Sequence, residues 1–149
     1  MPEKISSILQ NKGGGVWCVA PDSSVFDAIA MMAEKGVGAL LVMSPERRLV
    51  GIISERDYAR KVILQGRSSK DTLVEEIMTS PVVTVTPEHT VDDCMRIVTE
   101  YRIRHLPVLC GNEVVGVISI GDLVNAIISD QAHTIDQLHT YIHGAAIVK

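Results

Sequence analysis

The sequence predicts an α/β (α+β) fold made of two β-α-β-β-α repeats packed as a pseudo-two-fold pair. A proline turn followed by an amphipathic helix occurs at Pro21 and again at Pro87, 66 residues later. An apolar strand ending in Ser-x-x-Asp occurs at 51–57 and again at 116–122, 65 residues later. One residue is therefore lost in the hairpin, where loops tolerate deletion. Each repeat needs its twin to bury its exposed sheet face.

The first repeat is expected over residues 16–72, after an N-terminal segment of residues 1–15. Ser24 is the predicted cap of its first helix, because apolar residues then recur with helical spacing. The predicted elements are a short amphipathic turn from Ile5 to Leu9, a flexible joint at 13–15, a strand at 16–19, the helix with Val25, Ile29, Met32 and Ala33 buried, strands at 39–43 and 49–53, and a helix at 55–65.

The second repeat is expected over residues 73–131, before a tail of residues 132–149. Thr90 takes the place of Ser24 as the cap of its central helix. Cys94 lies on the apolar face of that helix, so we expect a core residue rather than a nucleophile. The predicted elements are a short helix at 73–78, a strand at 82–85, the helix with Val91, Met95 and Val98 buried, strands at 105–109 and 114–118 around a turn at Gly111-Asn112, and a helix at 122–128.

Composition limits the possible functions. The chain has 149 residues, of which 46% are hydrophobic and 21% charged, as in ordinary globular proteins. A net charge of −4 and 3% of aromatic residues argue against nucleic-acid binding. Three cysteines without a CxxC spacing favour reduced thiols. Nothing resembles a signal peptide or a membrane span. We expect a cytoplasmic protein that binds neither nucleic acid nor a membrane.

The two Ser-x-x-Asp motifs have two interpretations. Each is a capping box, in which the serine and the acid satisfy backbone N–H groups at a helix start. Each also brings a carboxylate to a helix start, where free N–H groups can bind phosphate and the acid can accept hydrogen bonds from a ribose diol. Both interpretations can hold together, and the repetition of the whole unit favours the second.

The paired unit, the Leu-Pro-Val strand and the closing Gly-h-h-Ser-x-x-Asp resemble a tandem cystathionine-β-synthase-type (CBS) domain pair, or Bateman module. The resemblance runs from about residue 16 to residue 129. It implies two three-stranded sheets packed face to face with helices outside. It also implies regulatory binding of AMP, ADP, ATP, NAD or S-adenosylmethionine in clefts between the repeats, and a flat homodimer.

The resemblance implies a nucleotide site at matching positions of the two repeats. Asp57 and Asp122 match the ribose-binding aspartates of the family. The hydroxyls Ser54 and Ser119 also match, and Arg56, with its counterpart Gly121, is placed to face a phosphate. The resemblance implies that phosphate is contacted by Arg104, His105, Leu106 and Pro107, whereas the first repeat departs from this pattern at Gly38, Ala39 and Leu40. It implies that adenine is contacted by Trp17, Cys18, Val82 and Val83.

The repeats differ at these positions, so we expect two unequal clefts. The second repeat carries Arg104 and His105, and its cleft should prefer a compact charged mononucleotide such as AMP. The first repeat has Gly38 at the corresponding place and Arg56 at its helix start. Its cleft should bind AMP more weakly or accept a bulkier ligand such as NAD.

The tail contains a possible metal site, because His139 and His143 are four residues apart and Asp136 and His133 lie nearby. No fourth ligand with the usual spacing is present. The alternative, which we favour, is an amphipathic helix with three apolar residues packed inward: Ile135, Leu138 and Ile142. We therefore predict neither a metal site nor a catalytic residue.

These observations favour a regulatory adenine-nucleotide-binding module over an enzyme. A nucleotide bound between the repeats would stabilise one arrangement of the homodimer, which an unidentified client protein would recognise. Two alternatives remain open. One is a structural dimerisation module with vestigial clefts. The other is a small enzyme that acts on a nucleotide, which would need a general base or a metal aimed at a reacting atom.

Overall fold

The computed structural model describes residues 3–12 and 15–131. Most predicted elements form within two residues of their expected bounds. The helix predicted over 55–65 is a short α-helix that continues as a π-helical turn, Ala59–Ile63. In chain order the elements are α1 (Ile5–Lys12), β1 (Cys18–Val19), α2 (Val25–Lys35), β2 (Ala39–Met43), β3 (Leu49–Ser54), α3 (Glu55–Tyr58), α4 (Val74–Ile77), α5 (Val91–Tyr101), β4 (His105–Cys110), β5 (Glu113–Ser119) and α6 (residues 120–131).

The first repeat contains a three-stranded sheet in the order β1-β2-β3. Strand β1 runs parallel to β2, and β2 forms an antiparallel hairpin with β3. Ser24 caps α2 by accepting a hydrogen bond from the N–H of Asp27. Residues Val25, Ala28 and Met32 of α2 are buried against the sheet, whereas Ala33 is exposed. Ala28, rather than Ala33, therefore completes the buried face of this helix.

The second repeat has a two-stranded sheet, β4-β5, and the strand predicted over 82–85 does not form. Only Val85 bridges to Val108 of β4. The reason lies in β4. In the first repeat the N–H of Leu41 donates to the carbonyl of Trp17 at 3.1 Å. Its counterpart in the second repeat is Pro107, which has no N–H to donate, so the strand next to it cannot extend.

Each repeat packs against a helix from outside its own sequence boundaries. Val74 and Ile77 of α4 are buried in the core of the first repeat, although the sequence places them at the start of the second. Ile5 of α1 is fully buried in the core of the second repeat. The short helices are therefore exchanged between the two halves of the fold. This exchange brings the end of α1 close to β5 and α6.

Two glycines permit this close packing. A β-carbon on Gly51 of β3 would overlap with the sulfur of Met78, and one on Gly116 of β5 would lie 2.5 Å from Cδ2 of Leu9. Leu9, which lies within α1, and Met78, which follows α4, take equivalent positions against the two sheets. The glycine that precedes each Ser-x-x-Asp motif is thus required for helix packing.

Candidate functional site

A cavity of about 680 Å³ lies between the two repeats, beside the start of α3. Its volume falls within the range of small-molecule sites in proteins. The first repeat contributes Asp57 and the helix that follows it, and the second contributes residues at the end of α5 and the start of β4. Because both repeats form its walls, a ligand here would contact both.

Asp57 forms the capping box that its motif predicts, and only one of its two carboxylate oxygens accepts the capping hydrogen bonds. Its Oδ2 accepts hydrogen bonds from the N–H of Ser54 at 3.0 Å and from the Ser54 hydroxyl at 3.1 Å. The hydroxyl in turn accepts from the N–H of Asp57 at 3.1 Å, so the capping box is confirmed. Oδ1 has two longer contacts, to the Thr79 hydroxyl at 3.4 Å and to Nζ of Lys61 at 3.3 Å. Such long contacts can give way to hydrogen bonds from a ligand diol.

Positive charge is concentrated around this cavity. Five arginine and lysine residues line it, against the two acids Glu55 and Asp57. An excess of positive charge is complementary to anions, and the geometry of guanidinium groups matches that of phosphate. The first repeat supplies Arg56, Arg60 and Lys61, and the second supplies Arg102 and Arg104.

Apolar side chains form another part of the wall. They come from β3, from the segment before Val85, and from the loop before β4. This surface can bury a flat aromatic ring, which polar groups elsewhere in the cavity would orient. The apolar lining residues are Ile52, Pro81, Val82, Val83 and Ile103.

His105 begins β4 at the edge of the cavity. Burial lowers the pKa of its imidazole below the ordinary value, and the positive charges of Lys12 and Arg104 lower it further, against the opposing effect of Asp122. The ring is therefore neutral at pH 7. A neutral imidazole can donate one hydrogen bond to a ligand and accept another.

Asp122, the counterpart of Asp57, has a different partner. Its carboxylate accepts hydrogen bonds from the N–H of Ser119 at 2.9 Å and from Nζ of Lys12 at 2.7 Å. The Ser119 hydroxyl accepts from the N–H of Asp122 at 3.1 Å. Burial alone would raise the pKa of Asp122, but the hydrogen bonds from Lys12 and Ser119 outweigh it and lower that pKa overall. The second carboxylate is thus engaged by a cation of the chain itself.

Comparison with known proteins identifies the family. The sequence profile of the CBS domain matches the chain twice, over residues 15–63 and 74–129. The chain belongs to the CBS-domain family. CBS pairs are regulatory modules connected with signal transduction rather than enzymes, and CBS domains bind adenosine ligands and often form oligomers. The predicted resemblance and the fold class with two CBS repeats are confirmed.

Three relatives illustrate the similarity. The CBS domain-containing protein CBSX3, mitochondrial, of Arabidopsis thaliana is 43% identical in an alignment that covers 94% of this chain and 72% of that protein. A candidate signal-transduction protein with CBS domains from Burkholderia ambifaria MC40-6 has 52% identity and a TM-score of 0.81, over 86% of this chain and 96% of that one. A hexameric CBS-CP12 protein from bloom-forming cyanobacteria has 33% identity and a TM-score of 0.74, over 81% of this chain and 69% of that one.

The structure corrects how the predicted residues are grouped in the CBS pair. We expected Arg104 and His105 to share a cleft with Asp122, and Arg56 to serve a separate one. Instead, Arg104 and His105 line the cavity that contains Arg56 and Asp57. Strand β4 of the second CBS repeat therefore faces the helix start of the first. The predicted residues that line the common cavity are Gly38, Ser54, Arg56, Asp57, Val82, Val83, Arg104 and His105.

The other predicted residues lie outside this cavity. Leu40, Leu106 and Pro107 are buried within their CBS repeats. Trp17 is partly exposed, with Nζ of Lys35 at 4.5 Å from the centre of its ring. The remaining predicted residues outside the cavity are Cys18, Ala39, Ser119, Gly121 and Asp122.

Sequence analysis missed several cavity residues. Arg60 and Lys61 follow Asp57 by three and four positions, so helical spacing could have placed them on its face. Arg102 was harder to find, because it caps α5 in the left-handed conformation, where glycine is usual. The other missed residues are Ile52, Glu55, Thr79, Pro81, Tyr101 and Ile103.

The cavity cations and His105 have no basic counterparts in the repeat register. Each corresponds to a residue 65 or 66 positions away in the other repeat, and none of these counterparts is a lysine, arginine or histidine. The pairs are Arg56 and Gly121, Arg60 and Asn125, Lys61 and Ala126, Arg102 and Gly36, Arg104 and Gly38, and His105 and Ala39.

Two other predictions concern metals and membranes. The histidines considered as metal ligands, His133, His139 and His143, lie outside the described residues, as do Asp136 and the predicted tail helix. Within residues 3–12 and 15–131, no cluster of three His, Cys, Asp or Glu residues could hold a metal ion. Over the same residues, no helix is both long and apolar enough to cross a membrane.

Proposed function

We propose that this chain is a regulatory module that binds an adenine nucleotide, AMP or a related ligand such as ADP, ATP or NAD, in the cavity at Asp57. One observation carries the proposal. A capped carboxylate, five Lys and Arg residues and an apolar wall surround a single cavity of about 680 Å³. These are the three kinds of surface that a ribose, a phosphate and a base require.

The ribose would bind at Asp57. A carboxylate at a helix start can accept two hydrogen bonds from a ribose diol. The side chain is 15% exposed, so it is accessible but largely shielded from water. Such shielding strengthens a charge-assisted hydrogen bond. The Thr79 hydroxyl and Lys61, which lie more than 3.2 Å from Oδ1, would yield to the ligand.

The phosphate would bind among the cations. Arg56 stands at the start of α3, and Arg104 faces the same cavity from the second repeat. Arginine binds phosphate in a bidentate manner, and two arginines from different repeats would hold one phosphate between them. His105 would add a hydrogen bond from its neutral ring.

The base would lie against Val82 and Val83. These residues precede the single bridge at Val85, and no ladder occupies the N–H and carbonyl groups of this stretch in the structure. They are therefore available to read the edge of an adenine ring. This interpretation keeps the predicted adenine contact while the predicted strand is absent.

Binding would be transmitted because the cavity belongs to both repeats. A ligand that contacts Asp57 and Arg104 together favours the arrangement in which these groups are close. We propose that the chain forms a homodimer in the cytoplasm and that an unidentified client protein recognises the occupied state. Exposed apolar side chains on the helices, including Phe26, Val124 and Ile128, support self-association.

Isothermal titration calorimetry with AMP tests the proposal. The Asp57→Asn variant keeps the size of the side chain and removes its charge. We expect its affinity for AMP to fall by about 10- to 100-fold, the effect of losing charge-assisted hydrogen bonds. Asp93→Asn is the matched control, because Asp93 forms the same capping box with Thr90 on α5 and does not line the cavity.

Equal affinities for AMP in the parent and in Asp57→Asn would refute the assignment of the site. Failure of the parent to bind AMP, ADP, ATP or NAD would refute the proposed function and favour a dimerisation module with vestigial clefts. Turnover of any of these nucleotides by the parent would instead favour an enzyme. Light scattering with and without AMP would test the homodimer, which a monomer mass at micromolar concentration would contradict.

A further inference from the structure

The carboxylate of Asp122 is bridged to the neighbouring strand by Lys12. The Nζ atom of Lys12 lies 2.7 Å from Oδ2 of Asp122 and 2.8 Å from the carbonyl oxygen of Val117. Both oxygens accept a hydrogen bond from the same ammonium group. The side chains of Lys12 and Asp122 are 38% and 21% exposed, so the carboxylate is the more shielded of the two partners.

The corresponding place beside Asp57 is occupied by Thr79. Val117 is the counterpart of Ile52, and the N–H of Thr79 donates to the Ile52 carbonyl at 2.9 Å. The Thr79 hydroxyl makes only a 3.4 Å contact with Asp57. In one half of the fold the neutral Thr79 hydroxyl, at 3.4 Å, and the ammonium group of Lys61, at 3.3 Å, thus make only long contacts with the aspartate. In the other half, Lys12 contacts the strand carbonyl and also places its ammonium group 2.7 Å from the carboxylate.

Helix α1 holds Lys12 in this position. Ile5, at the start of the helix, is fully buried in the second core, and Leu9 packs onto Gly116. Lys12 is the last residue of the same helix. The packing of this helix therefore fixes the position of Lys12 beside Asp122.

We propose that Lys12 occupies the place of a ligand ribose at Asp122 and so limits the chain to one nucleotide, held at Asp57. A diol that bound Asp122 through both carboxylate oxygens would have to displace the ammonium group. No phosphate contact would compensate for the loss of the Lys12 hydrogen bond, because the residues that correspond in the repeat register to the cavity cations are neutral. The expected stoichiometry of the parent protein, one nucleotide per chain, rests on the proposed function, which is nucleotide binding at Asp57.

Calorimetric titration of Lys12→Met with AMP and with adenosine tests the inference. Methionine preserves the length and packing of the side chain and removes its charge. We expect the parent to bind one AMP per chain, and Lys12→Met to bind one further molecule of adenosine, at least about tenfold more tightly than the parent does at that site. Adenosine is the better probe because this half lacks the cations that would favour a phosphate.

Lys4→Met is the matched control. Lys4 belongs to the same N-terminal segment and forms an ion pair with Glu88 at 2.7 Å, away from Asp122. This variant should bind ligands as the parent does. Circular dichroism of both variants checks that α1 is retained, and Lys12→Gln serves as a second neutral substitution if Lys12→Met alters the fold.

The double variant Lys12→Met with Asp57→Asn separates this inference from the proposed function. It should bind one adenosine per chain at Asp122, even if the parent binds no nucleotide at Asp57. Two equivalent sites in the parent, or unchanged adenosine binding in Lys12→Met, would overturn the inference. Carbon-13 NMR of the Asp122 carboxyl provides a readout without ligand, because its pKa should rise in Lys12→Met and stay the same in Lys4→Met.

Discussion

The Nε2 atom of His105 lies 3.6 Å from the position that a β-carbon on Gly38 would take. Gly38 holds the place in the first repeat that Arg104 holds in the second, so matching stretches of the two repeats meet here. Such a β-carbon would also lie 3.4 Å from Oε1 of Glu55. A methyl group fits at ordinary van der Waals distance, and a larger side chain would enter the cavity.

A pair of glycine substitutions tests this geometry. Gly36 ends α2 with φ of 67° and has open space around its α-carbon, so Gly36→Ala should lower the free energy of unfolding by about 1–2 kcal/mol through backbone strain alone. Gly38→Ala should leave stability unchanged or raise it by about 0.4–1 kcal/mol, since alanine restricts the unfolded chain. Urea denaturation of both variants measures the difference. A loss in Gly38→Ala as large as that in Gly36→Ala would show that the contact at Gly38 is tighter than described.

The depressed pKa of His105 predicts how nucleotide affinity varies with pH. Burial, the first cause of the shift, keeps the ring neutral at pH 7. A bound phosphate would stabilise the protonated ring, so affinity for AMP should rise as the pH falls below the ordinary pKa of histidine, about 6.5. Calorimetry at several pH values, in the parent and in His105→Gln, measures the effect. The increase should be absent with adenosine, and its persistence in His105→Gln would assign it to another group.

The lowered pKa of His105 also predicts how the stability of the ligand-free protein varies with pH. Because the folded state binds the His105 proton less readily than the unfolded state, the unfolded state holds more protons in the window between the two pKa values. The contribution of His105 to stability is therefore lost as the pH falls below the unfolded value, about 6.5. Thermal melts of the parent and of His105→Gln at pH 5 and pH 8 should differ more at pH 8, in favour of the parent. A difference that is larger at pH 5 would contradict the direction of the shift.

The ion pair of Lys12 with Asp122 predicts a loss of stability in acid of the same sign, at a lower pH. Burial disfavours the Asp122 carboxylate, but the hydrogen bonds of Lys12 and Ser119 lower its pKa overall. Its contribution to stability is therefore fully present above the unfolded pKa, about 3.9, and is lost as the pH falls through the lower folded value. The melting temperature of Lys12→Met should lie below that of the parent at pH 7, and the gap should close in strong acid. An undiminished gap in strong acid would assign the loss to packing instead of charge.

Cysteine reactivity provides a check on the core. Cys94 is fully buried, and burial together with the charge of Asp93 raises the pKa of its thiol to about 11. Cys18 and Cys110 are exposed. A disulfide reagent such as dithionitrobenzoate should modify two thiols of the native protein, and the third only after denaturation. Rapid reaction of all three native thiols would contradict the packing of α5.

Much of the fold follows from the repeated pattern. The helix with Val91 and Val98 on one face lies where its apolar spacing predicts, and Thr90 caps it as Ser24 caps α2. The strand over 82–85 fails for a reason that the sequence contains, because Pro107 accepts a hydrogen bond from Val85 but has no N–H to donate to the rest of the segment. Periodicity along one segment does not report the hydrogen-bonding capacity of its neighbour, so the pattern alone predicts one strand too many.

The candidate site was harder to predict than the fold. Internal repetition shows that Asp57 is equivalent to Asp122 and Gly38 to Arg104. It does not show which stretch of one repeat faces which stretch of the other. The structure places Asp57 and Arg104 on the wall of the same cavity, across the repeat boundary. Lys12 was also missed, since its contact with Asp122 depends on where the packing of Ile5 places α1.

The left-handed conformation of Arg102 makes the end of the central helix less favourable in the second repeat than in the first. Its counterpart Gly36 adopts nearly the same backbone angles without strain, whereas a side chain at φ of 56° costs about 1–2 kcal/mol. That cost places a guanidinium group at the cavity wall. Arg102→Gly should therefore give a protein that melts at a higher temperature and binds AMP less tightly. One half of the duplicated chain retains the relaxed helix end, while the other has exchanged part of its stability for charge.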